Sequence, residues 1–395
     1  MKIAVFSDLF HPELNGVSDS ALATARQLAL RGHEIRFYVP RYTAKDYAIA
    51  NLPPIERDWG RGITIRRLFS LPYPTGTGQG RAVIPSPFIL RDVKAFRPDA
   101  IHAHLFMGVG WDALMAAKFL RIPLIGTNHT AISEFIRYSP IKAPWFSRFA
   151  LRYVSWFYNR CRYVTTPSRS LIDEMIAWGF RKPHEVISNP IDTDLFKVPS
   201  AQERDAARKE FGLVGPTFVY AGGLFPQKNL DVLVRAMGHA VKQDPSITLM
   251  LPGHGSERSR LENIATEFSV LPRVRFLGTL EKPALARLFQ AGDVFVIAST
   301  SETQNMSLIQ AMACGLPAIG VRSRALPEYI PASAGLLVPP GDDRAFATAM
   351  IGLVHDDGKR LEMSQNAPAC VERFSVSSIA DRWELIYQEV IHKKV

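Results

Sequence analysis

The sequence predicts an α/β protein made of two doubly wound domains, and three observations carry that prediction. Apolar runs of strand length alternate with helix-length amphipathic patterns along the chain. The alternation pauses at residues 190–200, Pro-Ile-Asp-Thr-Asp-Leu-Phe-Lys-Val-Pro-Ser, a composition suited to a hinge, and then restarts. At 395 residues the chain is also long for one hydrophobic core.

Composition narrows the class. With 47% hydrophobic and 21% charged residues the chain is of ordinary globular type. Cys161, Cys314 and Cys370 are scattered and odd in number, which gives neither a disulfide framework nor a metal pattern and fits a reducing cytosol. Met1-Lys-Ile-Ala-Val is already strand-like, so no signal peptide is expected, and no run of uncharged apolar residues reaches membrane-spanning length. The net charge of +10 is one-sided. Residues 1–199 hold 26 Lys and Arg against 16 Asp and Glu, whereas residues 200–395 hold 21 of each. Such asymmetry points to an anionic partner, membrane or nucleic acid, or else to a merely solvated face.

The elements follow in order. Residues 2–7 form a first strand, and His11-Pro-Glu-Leu-Asn-Gly-Val17 a turn-rich loop centred on Asn15-Gly16. Residues 18–31 read as a helix with Ser18 as N-cap, ended by Gly32, and residues 34–39 as a second strand. This is a Rossmann-type opening without GxGxxG, so no dinucleotide site is supported. Residues 46–80 read as irregular loop, with 76–80 mobile. Strands follow at 99–104, ending in His102-Ala-His104, at 123–127, with His129-Thr130 just beyond, at 164–168 and at 186–189. Helices are expected at 110–120 and 169–178.

In the second half, strands are expected at 217–222, 248–252, 273–278, 293–299 and 317–321, with helices at 230–243, 282–290, 307–314 and 344–355. Residues 335–341 read as a turn or edge strand, and 377–392 as a last helix. Lys228 follows Gly222-Gly223 in a loop after a strand, where small residues admit a ligand and an ammonium can neutralise a diphosphate. Glu302 precedes a helix N-terminus, a phosphate-friendly position. His129 stands at another strand end. Singly, each has a plainer reading: a solvated lysine, an acid offsetting the helix dipole, a structural histidine. Together they occupy the C-terminal strand ends at which ligands bind in open α/β sheets.

These residues carry a resemblance. Ser301-Glu302 followed by Gln310-Ala-Met-Ala-Cys-Gly-Leu-Pro317 resembles the signature of retaining glycosyltransferases of family 4, which have the GT-B fold. Other matches run in order along nearly the whole chain: Asn15-Gly-Val17, Arg31-Gly-His33, His102-Ala-His104, Pro167-Ser168, Asn189-Pro-Ile-Asp192, Gly222-x-Leu-x-x-x-Lys-Asn229, Gly253-His-Gly255, Gly278, Pro327-Glu328 and Gly335-Leu-Leu-Val-Pro-Pro-Gly-Asp342. The resemblance implies two Rossmann-like domains facing a cleft: 1–195 for the acceptor, 196–376 for the sugar nucleotide, and 377–395 as a helix crossing back onto the first. It implies a UDP- or GDP-hexose donor, with no separate cofactor and no metal. Donor contacts would come from Asn15, Gly16, Gly222, Gly223, Lys228, Glu302, Thr303, Gln304, Asn305, Met306 and Gln310. His129, Glu302 and Lys228 would be the catalytic residues, with His129 over the transferred sugar. Two departures stand out: Gly223 where the family has Arg, and Gln310 where it has a second acid.

His129-Thr-Ala-Ile-Ser-Glu-Phe-Ile-Arg-Tyr138 and Ser301-Glu-Thr-Gln304 further resemble bacterial diacylglycerol glucosyltransferases. Residues 142–162 contain five basic residues, seven aromatics and no acid. At helical spacing Trp145, Phe149, Tyr153 and Trp156 form a stripe, with Arg148 and Arg160 beside it and Arg152 within it. With Lys142 this reads as an interfacial helix on anionic lipid at the cytoplasmic membrane face, or else as an aromatic helix packed on the sheet with basic edges. No nucleic-acid-binding module is evident. The expected activity is transfer of a hexose to a membrane lipid or lipid-linked acceptor. The alternatives are a soluble or polyprenyl-linked glycan acceptor and, from another class, a catalytically weak or dead sugar-nucleotide-binding protein.

Overall fold

The computed structural model describes residues 1–13, 16–50, 52–75, 78–138 and 143–392. Asn15 and Lys142, both expected to matter, lie outside the described residues, as do residues 76 and 77. The chain forms two compact units, 1–190 with 376–395, and 191–375.

In the first unit, β1 (Lys2–Ser7), β2 (Glu34–Pro40), β3 (Ile63–Leu68), a hairpin of β4 (Ser70–Pro72) and β5 (Arg81–Val83), β6 (Ala100–His104), β7 (Leu124–Thr127), β8 (Tyr163–Thr166) and β9 (His184–Val186) follow one another. The main sheet is parallel, in the order β3-β2-β1-β6-β7-β8-β9. β1 and β6 are buried almost throughout, as strands covered on both faces are; β1 reads as an apolar run over Ile3–Phe6, whereas β6 carries the buried His102 and His104. Residues 46–80 are not the irregular stretch their composition suggests. They hold most of the helix Ala44–Ile49, the edge strand β3 and the start of the hairpin. Ser18 is not an N-cap either: the helix starts at Gly16, and Ser18 is buried inside it. The strand expected at 186–189 is formed two residues earlier, by β9.

The last helix, Val376–His392, belongs to this first unit. Ile379, Ala380, Trp383, Ile386, Tyr387 and Val390 recur at helical spacing and bury one face in the core beside the helix Gly16–Leu30. Ion pairs fasten its exposed side. Arg31 reaches Asp381 at 2.7 Å and Glu384 at 3.0 Å, and His33 Nε2 lies 3.0 Å from Glu384.

The second unit contains β10 (Thr217–Val219), β11 (Thr248–Pro252), β12 (Val274–Gly278), β13 (Val294–Ile297), β14 (Ala318–Val321) and β15 (Gly335–Val338), parallel in the order β12-β11-β10-β13-β14-β15. Its helix Ala201–Glu210 opens with a reciprocal cap between Ser200 and Glu203. In both sheets the chain winds outward from one central strand and then returns to that strand's other side. The reversal falls between β1 and β6 in the first unit and between β10 and β13 in the second. A crevice opens beyond the C-terminal ends of the strands at such a point.

Candidate active site

In the second unit the reversal point brings two expected residues together. β10 leads through Gly222-Gly223 to the single turn Pro226–Lys228, and β13 leads to Glu302. Lys228 Nζ lies 2.7 Å from Glu302 Oε1, with Glu302 buried and Lys228 partly exposed. An ammonium and a carboxylate this close, away from bulk water, neutralise each other and fix each other's position. The loops are laced together around them. Asn229 Nδ2 donates to the Ala298 carbonyl at 3.3 Å, and Ser299 Oγ to the Gln227 carbonyl at 3.3 Å. The Ala325 amide donates to the Glu302 carbonyl at 3.2 Å, and Ser323 Oγ to the Thr300 carbonyl at 3.1 Å.

Tyr220 shapes the glycine turn. Its phenol donates to the Gly223 carbonyl at 3.0 Å, and a Cβ on Gly222, which has φ +150°, would lie 2.7 Å from the Tyr220 hydroxyl oxygen. Burial, with the Glu302 charge nearby, pushes the Tyr220 phenol well above its usual range, so it remains a donor. Gly223 has a different constraint. A Cβ there would meet two atoms of the Phe225 ring at 2.5 and 2.6 Å. The ring fills the space in which a longer side chain would start, so an arginine would have to displace it.

The helix after Glu302 is Met306–Ala313, capped by Asn305, whose side-chain oxygen accepts from the Leu308 amide at 2.8 Å. Gln304 and Asn305 are buried, Thr303 and Met306 half-buried, and Gln310 lies half-buried on the helix itself. Arg324, missed in the sequence reading, sits in the loop after β14 with φ +49°, one residue before the amide that holds the Glu302 carbonyl. A non-glycine residue in that conformation stores backbone strain, a feature common beside functional sites. Among the described residues, no group of three or more His, Cys, Asp or Glu side chains is arranged to hold a metal ion.

In the first unit Gly16 begins its helix, exposed, and His129 follows β7. Parallel pairing sets His104 opposite Thr127. His129 Nε2 then lies 3.0 Å from His104 Nδ1, with the two rings stacked. Below them, His102 is held by Tyr387 Oη at 2.7 Å on Nδ1 and by Thr127 Oγ1 at 2.6 Å on Nε2. A cavity of about 30 Å³ adjoins this stack. Burial lowers His102 to about 3, His129 to about 4 and His104 well below its ordinary value, so all three rings are neutral at neutral pH. The strand alternation His102-Ala-His104, which puts both rings on one face, was the available signal for this stack.

The helix Pro144–Tyr158 buries Val154, Ser155, Phe157 and Tyr158. Its other face is open: Trp145 is 65% exposed, Phe149 62% and Trp156 37%. Arg148, Arg152 and Arg160 are exposed among them. Tyr153 is the exception in the stripe, half-buried, with its hydroxyl donating to the Phe106 carbonyl at 2.7 Å and accepting from Trp111 Nε1 at 2.8 Å. Among the described residues, no helix is long and apolar enough to cross a membrane.

Comparison with known proteins agrees with this architecture. Residues 14–195 match the model of Glycosyltransferase Family 4, and residues 215–356 that of Glycosyl transferases group 1. A GDP-mannose-dependent alpha-mannosyltransferase of Mycobacterium tuberculosis is 27% identical over 90% of this chain and 89% of its own length. The alpha-monoglucosyldiacylglycerol synthase of Streptococcus pneumoniae is 24% identical over 81% of this chain and 70% of its own. The structure of Anabaena Alr3699/HepE, solved in complex with UDP, superposes with a TM-score of 0.76 at 22% identity, covering 98% of this chain and all of that one, a likeness of fold. With two parallel-sheet Rossmann-like units, the fold class of GT-B glycosyltransferases, and both halves of the chain matched, the protein belongs to glycosyltransferase family 4.

Proposed function

We propose that this glycosyltransferase moves a hexose from a nucleotide-sugar, UDP- or GDP-linked, to a membrane lipid or lipid-linked acceptor, with retention of anomeric configuration. In this reading the second unit, residues 191–375 rather than the 196–376 expected from sequence, takes the donor, and the first unit takes the acceptor. Lys228 meets the diphosphate, and Glu302 positions Lys228 and the sugar. The loop amides and those at the start of the helix Met306–Ala313 contact phosphate, with Asn305 already occupying the Leu308 amide. Thr303, Gln304 and Gln310 complete the donor set of the second unit, and Asn15 and Gly16 are the donor residues this reading assigns to the first. The C1–phosphate bond breaks, the acceptor oxygen bonds C1 on the same face, and the acceptor proton leaves on the departing phosphate oxygen. Charge developing on the leaving group is met by Lys228 and backbone amides, which makes a metal unnecessary in this scheme. His129, held neutral, offers a hydrogen bond to the sugar.

The lipid acceptor rests on one observation above all: Trp145, Phe149 and Trp156 stand exposed beside Arg148 and Arg152 on a single helix, with Arg160 just past its end. Tryptophan and arginine in that arrangement suit the headgroup boundary of an anionic bilayer, and the one-sided charge of +10 favours the same surface. The protein then works peripherally, at the cytoplasmic membrane face. Sedimentation with vesicles, with and without anionic lipid, tests this; binding only in the presence of anionic lipid is expected, and no binding to either would remove the reading. The departures at Gly223 and Gln310 favour a second reading, a sugar-nucleotide-binding protein of weak or no turnover. Transfer by the purified protein from a panel of nucleotide-hexoses decides between the two.

A further inference from the structure

In the first unit, five side chains form a continuous stack from the last helix to His129. Tyr387 Oη sits 2.7 Å from His102 Nδ1, and Trp383 lies against the same ring at 4.6 Å between centroids. The His102 and His104 rings are 4.1 Å apart, and His104 Nδ1 meets His129 Nε2 at 3.0 Å. Both rings of that last pair are neutral, so one proton lies between the two nitrogens, and the ring that donates fixes the tautomer of the other. The nitrogen of His129 that meets His104 is Nε2, so the ring turns its Nδ1 edge away from His104.

We propose that His104 is a positioning residue: through its hydrogen bond it sets the tautomer and the ring orientation of His129, with His102, Tyr387 and Trp383 as its base. This rests on the reading of His129 as a sugar-contacting residue. His129 follows the end of its strand, where the backbone alone leaves the ring two flipped orientations with different nitrogens facing outward. Stacking on His104 at an interplanar angle of 11° selects the plane, and the hydrogen bond selects the flip. A helix that is last in the chain thereby reaches the substrate side of the first unit. Its loss would release His102 first and His129 last.

The test compares His104→Leu, which removes the nitrogen, with His104→Asn, whose amide stands close to the position of Nδ1. His129→Ala serves as reference, and all are assayed for transfer from whichever nucleotide-hexose the wild type uses. His104→Leu is expected to lower kcat roughly tenfold with donor KM little changed, and His104→Asn to recover most of that loss. In ¹⁵N-histidine spectra, the wild-type His129 should show one neutral tautomer and the His104→Leu protein a mixture. If His104→Leu keeps both wild-type kcat and a single His129 tautomer, or if His104→Asn is no better than Leu while the tautomer is unchanged, the proposal is wrong. If His129→Ala itself turns over normally, it is the assignment of His129 that fails.

Discussion

Lys228 and Glu302 form a closed pair, and that pairing governs what each can do. Before a donor arrives the ammonium is held 2.7 Å from a buried carboxylate, so a diphosphate competes for a cation whose position is already fixed. Lys228→Ala should lower kcat/KM about a hundredfold, raising donor KM and reducing kcat together, because diphosphate charge is present in both ground and transition states. Steady-state kinetics with the preferred donor would reveal this, and unchanged constants would disprove the assignment. Asp8, just beyond β1, gives a prediction about stability. Burial lifts its carboxyl from 3.8 to about 6, against the hydrogen bond it accepts from the Val109 amide. An acid with a raised folded pKa binds its proton more tightly when folded. Its contribution is therefore full below about pH 3.8 and lost as pH rises through about 6. Denaturation of wild type between pH 4 and 7 should show a fall of roughly 1–3 kcal/mol that Asp8→Asn lacks. Asp112, also raised to about 6 and partly by Asp8, supplies a residual slope. Of the residue-scale features, Lys228, Glu302 and His129 were legible because strand-end position is a sequence property. The Phe225 ring over Gly223 and the positive φ of Arg324 were not, since both depend on how loops close in three dimensions.

Helices and strands were readable where period and flanking residues agreed, and lost where they did not. β3, Ile63-Thr-Ile-Arg-Arg-Leu68, alternates apolar and polar residues only over its first half and lies at a sheet edge, so the surrounding Gly- and Pro-rich chain hid it. The helix Ala201–Glu210 has a single buried residue, Ala207, and almost no apolar stripe to betray it. Its Ser200-x-x-Glu203 box was present in the sequence and went unread. Ser200→Ala should cost about 1 kcal/mol in chemical denaturation, and a loss near zero would mean that the cap is idle. The aromatic helix Pro144–Tyr158 left two readings open from sequence, and exposure separates its faces. Trp145→Ser combined with Trp156→Ser should weaken partition onto anionic vesicles by about tenfold or more while leaving the melting temperature near that of wild type, since neither ring is in the core. Unaltered vesicle binding would argue that the open face serves another purpose.

At the scale of the whole molecule the chain repeats one architectural idea twice with different electrostatics. Each parallel sheet reverses its winding at a central strand, and the chemistry-bearing residues lie at or just beyond the ends of strands beside that reversal: His104 ends β6, and Glu302 and Lys228 follow β13 and β10. The net positive charge is confined to the first half, which also carries the exposed aromatic helix, whereas the second half is balanced and holds the Lys228–Glu302 pair. This division matches an acceptor side that meets an anionic surface and a donor side that needs one localised cation. The central claim is that the protein catalyses retaining hexosyl transfer to a lipid with Lys228 at the leaving group. It is tested most directly by incubating purified protein with a nucleotide-hexose and lipid acceptor in anionic vesicles, then reading the product's anomeric configuration by proton NMR. The account predicts an α-linked glycolipid from an α-linked donor and its near disappearance with Lys228→Ala; a β-linked product, or equal yield from the variant, would contradict it.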